Sequence, residues 1–259
     1  MMCISPITVK VGKHRARYEK VPCGKCYACK SKDRTGWSLR LEEELRNCDL
    51  VALFITLTYA TPPPSGVNTR DVQLWLKRLR KALPGRNIKY FLTSEYGSTT
   101  NRPHYHCILF GLLPTDHELI LHTWNHGFVH VGTATPQSIG YVVKYLDKDM
   151  HVPEGCNEPF RLMSKGLGRS YVERMLSWHQ DDVEERVYVP GKGGTGRSMP
   201  RYYKNKIYNE IQRKHLSAQA EARFMEEVPD TLDEIRSRHI SHVQEGERRH
   251  RRQYEKRVL

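Results

Sequence analysis

The chain has 259 residues, of which 38% are hydrophobic and 27% charged, and its formal net charge is +13. A chain of this length can hold one core domain with appendages, or two small domains. Its longest apolar run, Leu50 to Leu57, has the length of a strand and falls far short of the roughly 18 residues that a membrane span needs. The first residues lack the apolar segment and cleavage site of a signal peptide. We therefore expect a cytoplasmic protein without a membrane partner.

The basic residues are clustered, which predicts a polyanionic partner. Nine Lys and Arg residues lie between Lys10 and Arg34, opposed by Glu19 and Asp33 alone, and a second basic cluster runs from Arg248 to Arg257. Basic side chains gain affinity for nucleic acid by releasing the counterions of its phosphates. The alternative is a basic soluble protein without such a partner. We expect nucleic acid.

Residues 1–35 form the first segment, which is predicted to be irregular, basic and cysteine-bearing. It contains Cys23-Gly-Lys-Cys26-Tyr-Ala-Cys29, and two thiolates spaced across a tight turn can bind one tetrahedral zinc ion. A reducing compartment argues against a disulfide framework. The alternatives are a basic loop without metal and an iron–sulfur cluster. We predict a structural Zn²⁺ site whose ligands are Cys3, Cys23, Cys26 and Cys29.

The hydrophobic periodicity predicts the elements that follow. Trp37, Leu41 and Leu45 are spaced by four residues, which favours a helix over 36–47 with the acidic residues 42–44 exposed. Alternation and β-branched residues indicate strands, whereas capping residues and apolar stripes indicate helices. The predicted strands cover residues 50–59, 88–95, 104–111 and 127–132. The predicted helices cover residues 68–82, about 115–124, and a segment that opens at Thr135-Pro136.

This order of elements describes an α+β fold, an antiparallel sheet with flanking helices related to the ferredoxin-like or RRM-like split βαβ arrangement. The strands at 88–95 and 104–111 form a hairpin. From about residue 155 onward the pattern weakens. We divide the chain into a cysteine-containing lead segment and helix, a core, a basic and aromatic extension, and a charged helical tail, at residues 1–48, 49–152, 153–204 and 205–259.

The candidate metal ligands lie in the predicted hairpin. His104 and His106 point to one face of their strand, a face that Ile108 and Phe110 continue, so two polar residues interrupt an apolar stripe. Glu95 ends the preceding strand and is the sole carboxylate of residues 72–115. Two imidazoles and one carboxylate suit Mg²⁺ or Mn²⁺, although the same set also binds hydrolytic zinc. If Glu95 is not the third ligand, the next candidates are Asp147 and Asp149.

The candidate nucleophiles lie in the helix that opens at Thr135. Its apolar face consists of Ile139, Val142, Val143 and Leu146, and Tyr141 and Tyr145 lie one turn apart on a different face. Phenols attack phosphodiesters when a neighbouring cation favours the phenolate. Lys144 and Lys148 flank the tyrosines. The alternative is a pair of surface tyrosines on which bases stack.

Three segments together resemble the ordered motifs of HUH endonucleases, and most closely those of the replication initiators of single-stranded DNA microviruses of the gokushovirus type. They are Phe54-Ile-Thr-Leu-Thr-Tyr59, Arg102-Pro-His-Tyr-His-Cys-Ile-Leu-Phe-Gly111 and Tyr141-Val-Val-Lys-Tyr145. The lead segment Val21-Pro-Cys-Gly-Lys-Cys-Tyr-Ala-Cys-Lys30 and Pro200-Arg-Tyr-Tyr203 are also similar to that group. The likeness extends over residues 3–204 and does not include the tail.

The resemblance implies that His104 and His106 bind the catalytic metal, with Glu95 as third ligand. It implies that Tyr141 and Tyr145 are paired nucleophiles separated by Lys144, and we expect Arg102 and Lys148 to contact DNA. The implied activity is nicking of an origin in rolling-circle replication, which leaves a 5′-phosphotyrosine and a primer 3′-hydroxyl before the displaced strand is rejoined. Implied partners are origin DNA and a host helicase and replisome.

Two other functions remain open at this point. A two-tyrosine transposase or plasmid initiator would use the same chemistry on another DNA target. A non-catalytic, zinc-stabilised nucleic-acid-binding protein would use the tyrosines for base stacking only.

Overall fold

The computed structural model describes residue 3 and residues 5–12, 17–97, 99–146 and 151–227, excepting the side chains of Lys192 and of residues 224–227. The chain forms two compact units. One comprises residues 34–177, and the other comprises residues 1–33 together with 178–259. These divisions differ from those drawn at residues 48, 152 and 204, because reasoning in chain order cannot detect a unit assembled from both ends of a chain.

The described residues contain nine strands and seven α-helices, joined by loops and three short 3₁₀ segments. The strands are β1 (Ile7–Val11), β2 (Arg17–Val21), β3 (Val51–Tyr59), β4 (Lys89–Tyr96), β5 (Pro103–Leu112), β6 (Gly127–Thr133), β7 (Arg161–Met163), β8 (Tyr188–Pro190) and β9 (Gly196–Ser198). The helices are α1 (Tyr27–Arg46), α2 (Thr69–Ala82), α3 (His117–Thr123), α4 (Pro136–Val143), α5 (Ser170–Asp181), α6 (Arg201–Ile207) and α7 (Glu210–Glu227).

The larger unit is built on a five-stranded antiparallel sheet of order β6-β3-β5-β4-β7. The four strands predicted from alternation are all present, and β4 and β5 form the predicted hairpin. The α+β antiparallel architecture is therefore confirmed. The edge strand β7 was not predicted, since its three residues are too few to show a period.

Helices cover both faces of this sheet. On one face, the amphipathic helix α2 buries Trp75 and Leu79 against Leu57, Tyr105 and Leu109. Its predicted N-cap is present, because the Asn68 side chain accepts a hydrogen bond from the Arg70 amide at 2.8 Å. The other face carries a second core to which α1 and α4 contribute, formed by Leu41, Phe91, Ile108, Phe110, Ile139, Val142 and Val143.

The first helix departs from the sequence prediction in two ways. It begins at Tyr27, about nine residues earlier than the apolar spacing indicated, and the strands β1 and β2 form an antiparallel hairpin in a segment predicted to be irregular. Glu43 was expected to be exposed but is buried, with Arg46 and Arg174 donating to its carboxylate. A second segment packs on the outer side of α1, which periodicity along α1 alone does not show.

The charged tail is helical as far as the structure describes it. Helix α7 covers Glu210–Glu227, and later residues lie outside the described part of the chain. Among the helices in the described ranges, none combines the length and apolar character that crossing a bilayer requires.

Candidate active site

The strand register brings Glu95 to the two histidines. In the β4–β5 hairpin, Glu95 lies opposite His104 and Thr93 lies opposite His106, all on the same face of the sheet. The His106 Nε2 and Glu95 Oε1 atoms are 2.8 Å apart, and both side chains are buried. The rings of His104 and His106 are nearly parallel, with centroids 6.4 Å apart. The predicted hairpin therefore places a carboxylate and two imidazoles side by side.

Hydrogen bonds at the other ring nitrogens orient both imidazoles. The Nδ1 atom of His104 lies 2.7 Å from the Arg102 carbonyl oxygen, which can only accept, so Nδ1 carries the proton and Nε2 keeps a lone pair. The Nδ1 atom of His106 lies 3.2 Å from the Thr56 hydroxyl, which can accept in the same way. Metal-binding histidines characteristically donate their second N–H to such an oxygen.

The donor set fits a divalent cation on two observations. Two neighbouring ligands of an octahedral Mg²⁺ ion are about 3 Å apart when each bond is about 2.1 Å, which is close to the His106–Glu95 separation. The Thr93 hydroxyl is buried on the same face and, among the described residues, has no hydrogen-bond partner, so it can accept a bond from a coordinated water. The described part of the chain brings three or more potential ligand atoms together in one group, and that is the cysteine cluster; His104 would have to approach Glu95 and His106 to complete their set.

Helix α4 carries the tyrosines onto these histidines. Thr135 caps the helix by accepting from the Ser138 amide, Pro136 occupies the first turn, and the predicted stripe of Ile139, Val142 and Val143 is buried. The rings of Tyr141 and Tyr145 have centroids 5.1 Å and 5.2 Å from that of His106, edge-on and parallel respectively. The two tyrosine rings are 5.4 Å apart.

The two tyrosines differ in exposure. Tyr141 is 37% exposed, whereas Tyr145 is 5% exposed. Four residues of α-helix would place both on the same outer face, but residues 144–146 form a 3₁₀ turn. Each residue of a 3₁₀ helix advances about 120° in place of about 100°, which turns Tyr145 towards the apolar stripe. The predicted pair therefore consists of one accessible and one buried phenol.

Burial raises the pKa of both phenols, with further contributions from the site. For Tyr145 the pKa is also raised by its hydrogen bond with Tyr141 and by Glu95. The same hydrogen bond lowers the pKa of Tyr141, against burial and Glu95, which raise it. These opposite signs mean that Tyr145 donates and Tyr141 accepts. Lys144 Nζ lies 3.7 Å from the Tyr141 ring centroid and 4.9 Å from that of Tyr145, so one ammonium faces both rings.

The remaining predicted DNA contacts divide into one with a structural partner and one that cannot be placed. The Arg102 guanidinium donates to the backbone carbonyls of Tyr59 and Ala60, which ties the start of β5 to the end of β3. Lys148, and the alternative metal ligands Asp147 and Asp149, lie outside the described residues.

Sequence reasoning did not assign roles to Thr56 and Phe54, which also line this site. Phe54 lies on the same face of β3, and its ring centroid is 6.0 Å from that of His106 and 5.8 Å from that of Tyr141. The alternation of β3 places both residues on one face, and this signal was present in the sequence. What was missing was the register, Thr56 opposite His106, which decides the contact.

The cysteine cluster is a second candidate site and lies in the other compact unit. The Sγ atoms of Cys3, Cys23, Cys26 and Cys29 all lie within 4.8 Å of one another, and none of these residues forms a disulfide. Hydrogen bonds from the Cys26 and Lys25 amides lower the pKa of Cys23 to about 6. Burial, assisted by the neighbouring sulfurs, raises the pKa of Cys29 to about 12.

Comparison with known proteins points to phage replication. Residues 52–150, which hold both histidines and both tyrosines, match the family described as replication-associated protein ORF2. The chain is 27% identical over 247 residues to replication-associated protein VP4 of Bdellovibrio phage phiMH2K, covering 79% of this chain and 76% of that protein. It is 28% identical over 226 residues to replication-associated protein ORF2 of Spiroplasma virus 4, covering 75% and 69%.

A third relative is longer than this chain. Replication-associated protein ORF4 of Chlamydia phage 1 is 27% identical over 219 residues, which cover 71% of this chain and 53% of that protein. The chain thus spans about half the length of that relative. Through residues 52–150, the chain belongs to the replication-associated protein ORF2 family.

Proposed function

We propose that this protein initiates rolling-circle DNA replication as a metal-dependent, site-specific single-stranded DNA endonuclease and strand transferase. One observation carries the proposal: both tyrosines pack directly on His106, which itself contacts Glu95, and Lys144 faces both tyrosine rings. A tyrosine pair used only for base stacking would have no reason to lie against buried imidazole and carboxylate groups. The relatives, named for replication, support the same role.

His104, His106 and Glu95 would hold Mg²⁺ or Mn²⁺ through Nε2 of each imidazole and a carboxylate oxygen. When bound, the ion polarises the scissile phosphate and neutralises charge in the transition state. Thr56 and the Arg102 carbonyl keep the imidazoles in the tautomer that presents Nε2. Glu95 offsets the positive charge of the ion and fixes its position next to the tyrosine rings.

Tyr141 is proposed to make the first cut, because it is the more exposed phenol and accepts the hydrogen bond from Tyr145. Its oxygen forms a bond to phosphorus while the bond from phosphorus to the 3′-oxygen breaks. The phenol loses its proton, and the departing 3′-oxygen gains one, so the phosphodiester is exchanged for a 5′-phosphotyrosine and a free 3′-hydroxyl. Lys144 faces both rings and stabilises the negative charge that develops on the attacking oxygen.

Tyr145 is proposed to make the second cut. One ring lies 5.4 Å from the other, so both phenols can serve one metal-bound phosphate in turn. While Tyr141 holds the first DNA end, Tyr145 cuts the regenerated origin, and the 3′-hydroxyl released by this second cut then attacks the held phosphate to close the circle. We assign strand separation to a host helicase and replisome.

Two alternatives would share parts of this site. A two-tyrosine transposase or plasmid initiator would differ in its DNA target, and the similarity to phage replication-associated proteins favours the initiator. A non-catalytic binding protein would keep DNA affinity and form no covalent product.

The test uses overlapping single-stranded oligonucleotides, labelled at the 3′ end, that tile both strands of the genome carrying this gene. With Mn²⁺, we expect a labelled, SDS-resistant protein adduct on one or a few tiles and none in EDTA. Tyr141→Phe should slow adduct formation more than Tyr145→Phe does, each should fail to release closed circles in a replication assay, and the double variant should form no adduct. Tyr90→Phe, in β4, serves as a matched control and should behave as wild type.

Two results would contradict the proposal in different ways. If no tile forms an adduct although DNA binds, the endonuclease assignment is wrong. If Tyr141→Phe is inactive and Tyr145→Phe also releases closed circles normally, the protein uses a single tyrosine and the alternating mechanism is wrong.

A further inference from the structure

The lead segment contains a four-cysteine cluster that the proposed nicking reaction does not use. We propose that Cys3, Cys23, Cys26 and Cys29 bind one Zn²⁺ ion, and that this ion clamps the base of the β1–β2 hairpin so that its basic face is held ready for a DNA backbone.

The sulfur positions match a single tetrahedral ion. In a tetrathiolate zinc site each Zn–S bond is about 2.3 Å, so neighbouring sulfurs are about 3.8 Å apart. The Sγ atoms of Cys26 and Cys3 are 3.9 Å apart, and all four sulfurs lie within 4.8 Å of one another. A cluster of several iron atoms would hold its cysteine sulfurs farther apart than one ion does. The spacing therefore favours a mononuclear site.

The surrounding backbone is arranged to stabilise thiolates. The Cys23 amide donates to Cys3 Sγ at 3.2 Å, and the Cys26 and Lys25 amides donate to Cys23 Sγ at 3.3 and 3.4 Å. Cys29 lies in the first turn of the 20-residue helix α1, where the positive end of the helix dipole favours negative charge. Amide donors of this kind form the outer shell of metal sites and hold the ligands in place.

The site joins pieces of chain that have little else to hold them together. Cys3 precedes β1, Cys23 follows β2, and Cys26 and Cys29 flank the start of α1. An isolated two-stranded hairpin is at best marginally stable in water. An ion bound by Cys3 and Cys23 would close the open end of this hairpin, and Cys26 and Cys29 would anchor that end to a helix.

The hairpin has one basic, exposed face. Lys10 pairs with Tyr18 and Thr8 with Lys20, so these four side chains share a face, and all are exposed, Tyr18 to 70%. The described residues of that face include no carboxylate. The opposite face carries the partly buried Val9, Val11 and Val21. Two-stranded ribbons of this width fit a DNA groove or follow a backbone, and this last step rests on the proposed function.

The first experiment measures metal in the intact protein purified without chelator. We expect about one zinc per chain and no iron in wild type, and loss of zinc in both Cys3→Ser and Cys26→Ser. Cys48→Ser, a cysteine outside the cluster, should keep its zinc. Exchange with Co²⁺ should give the visible absorption of a tetrahedral tetrathiolate complex. Wild-type protein without zinc, or with iron in its place, overturns the site, as does zinc that survives both substitutions.

The second experiment separates the clamp from the chemistry of the active site. Chelation of zinc should increase hydrogen exchange at the amides of Cys23, Cys26 and the hairpin, and unchanged exchange there overturns the clamp. Lys10→Glu combined with Lys20→Glu should retain zinc, and the slope of log affinity against log salt should become shallower by about 1.4 to 1.8 for two lost phosphate contacts. Lys77→Glu, an exposed lysine of α2, is the matched control.

Adduct formation at saturating DNA should persist in the Lys10 and Lys20 double variant, which distinguishes failure of this inference from failure of the proposed function. A double variant whose DNA affinity and salt slope equal those of Lys77→Glu would overturn the role of the hairpin in DNA binding.

Discussion

Removal of the Thr56 hydroxyl tests whether the outer hydrogen bonds of the site prepare the histidines for metal. Thr56 lies opposite His106 in the β3–β5 pair, and its Oγ1 atom is 3.2 Å from Nδ1 of that imidazole. In Thr56→Val the side chain keeps its branched shape and its preference for a strand, but it can no longer accept the Nδ1 proton. The tautomer that presents Nε2 then loses its support.

The expected effect is a loss of metal affinity rather than of the fold. Loss of an outer-shell partner typically costs 10–100-fold in metal affinity or activity, or about 1.4 to 2.8 kcal/mol. Thr56 is partly exposed, so water can replace part of the lost hydrogen bond, and we expect a value near the lower end, about tenfold. Saturating Mn²⁺ should restore most of the activity, because the nucleophiles are unchanged.

The assay is a Mn²⁺ titration of covalent adduct formation. Thr58→Val is the matched control: Thr58 lies on the same face of β3 opposite His104, but the Nδ1 atom of His104 is bound by the Arg102 carbonyl and not by this hydroxyl. The reasoning is refuted if the Mn²⁺ midpoint of Thr56→Val equals that of wild type, or if Thr58→Val shifts it equally.

Three further substitutions probe the same site. His106→Ala should abolish adduct formation while DNA affinity changes by less than about threefold, since phosphate contacts supply most of the affinity; adduct formed by this variant would remove His106 from the ligand set. Glu95→Gln should raise the Mn²⁺ midpoint with partial recovery at saturation, and a wild-type midpoint would point to Asp147 or Asp149. Thr93→Val should leave the metal-free protein as stable as wild type or more stable by up to about 1 kcal/mol, because its hydroxyl is buried without a partner among the described residues; a lower melting temperature would contradict this.

The sequence by itself determined the local elements and the faces that they present. Alternation in β3 and β5 and the apolar stripe of α4 fix which side chains point together, because the periods of strands and helices are properties of the local backbone. The cap at Thr135 and the same-face placement of His104 and His106 were therefore predictable.

The tertiary structure decided which of these faces meet. The register that sets Glu95 opposite His104 and Thr56 opposite His106, and the 3₁₀ turn that buries Tyr145, depend on pairings and packing between distant segments. The same holds for the hairpin that brings Cys3 to Cys23 across twenty residues. Such contacts form only when loop closure is offset by burial and pairing elsewhere in the chain, so no local window of the sequence contains them.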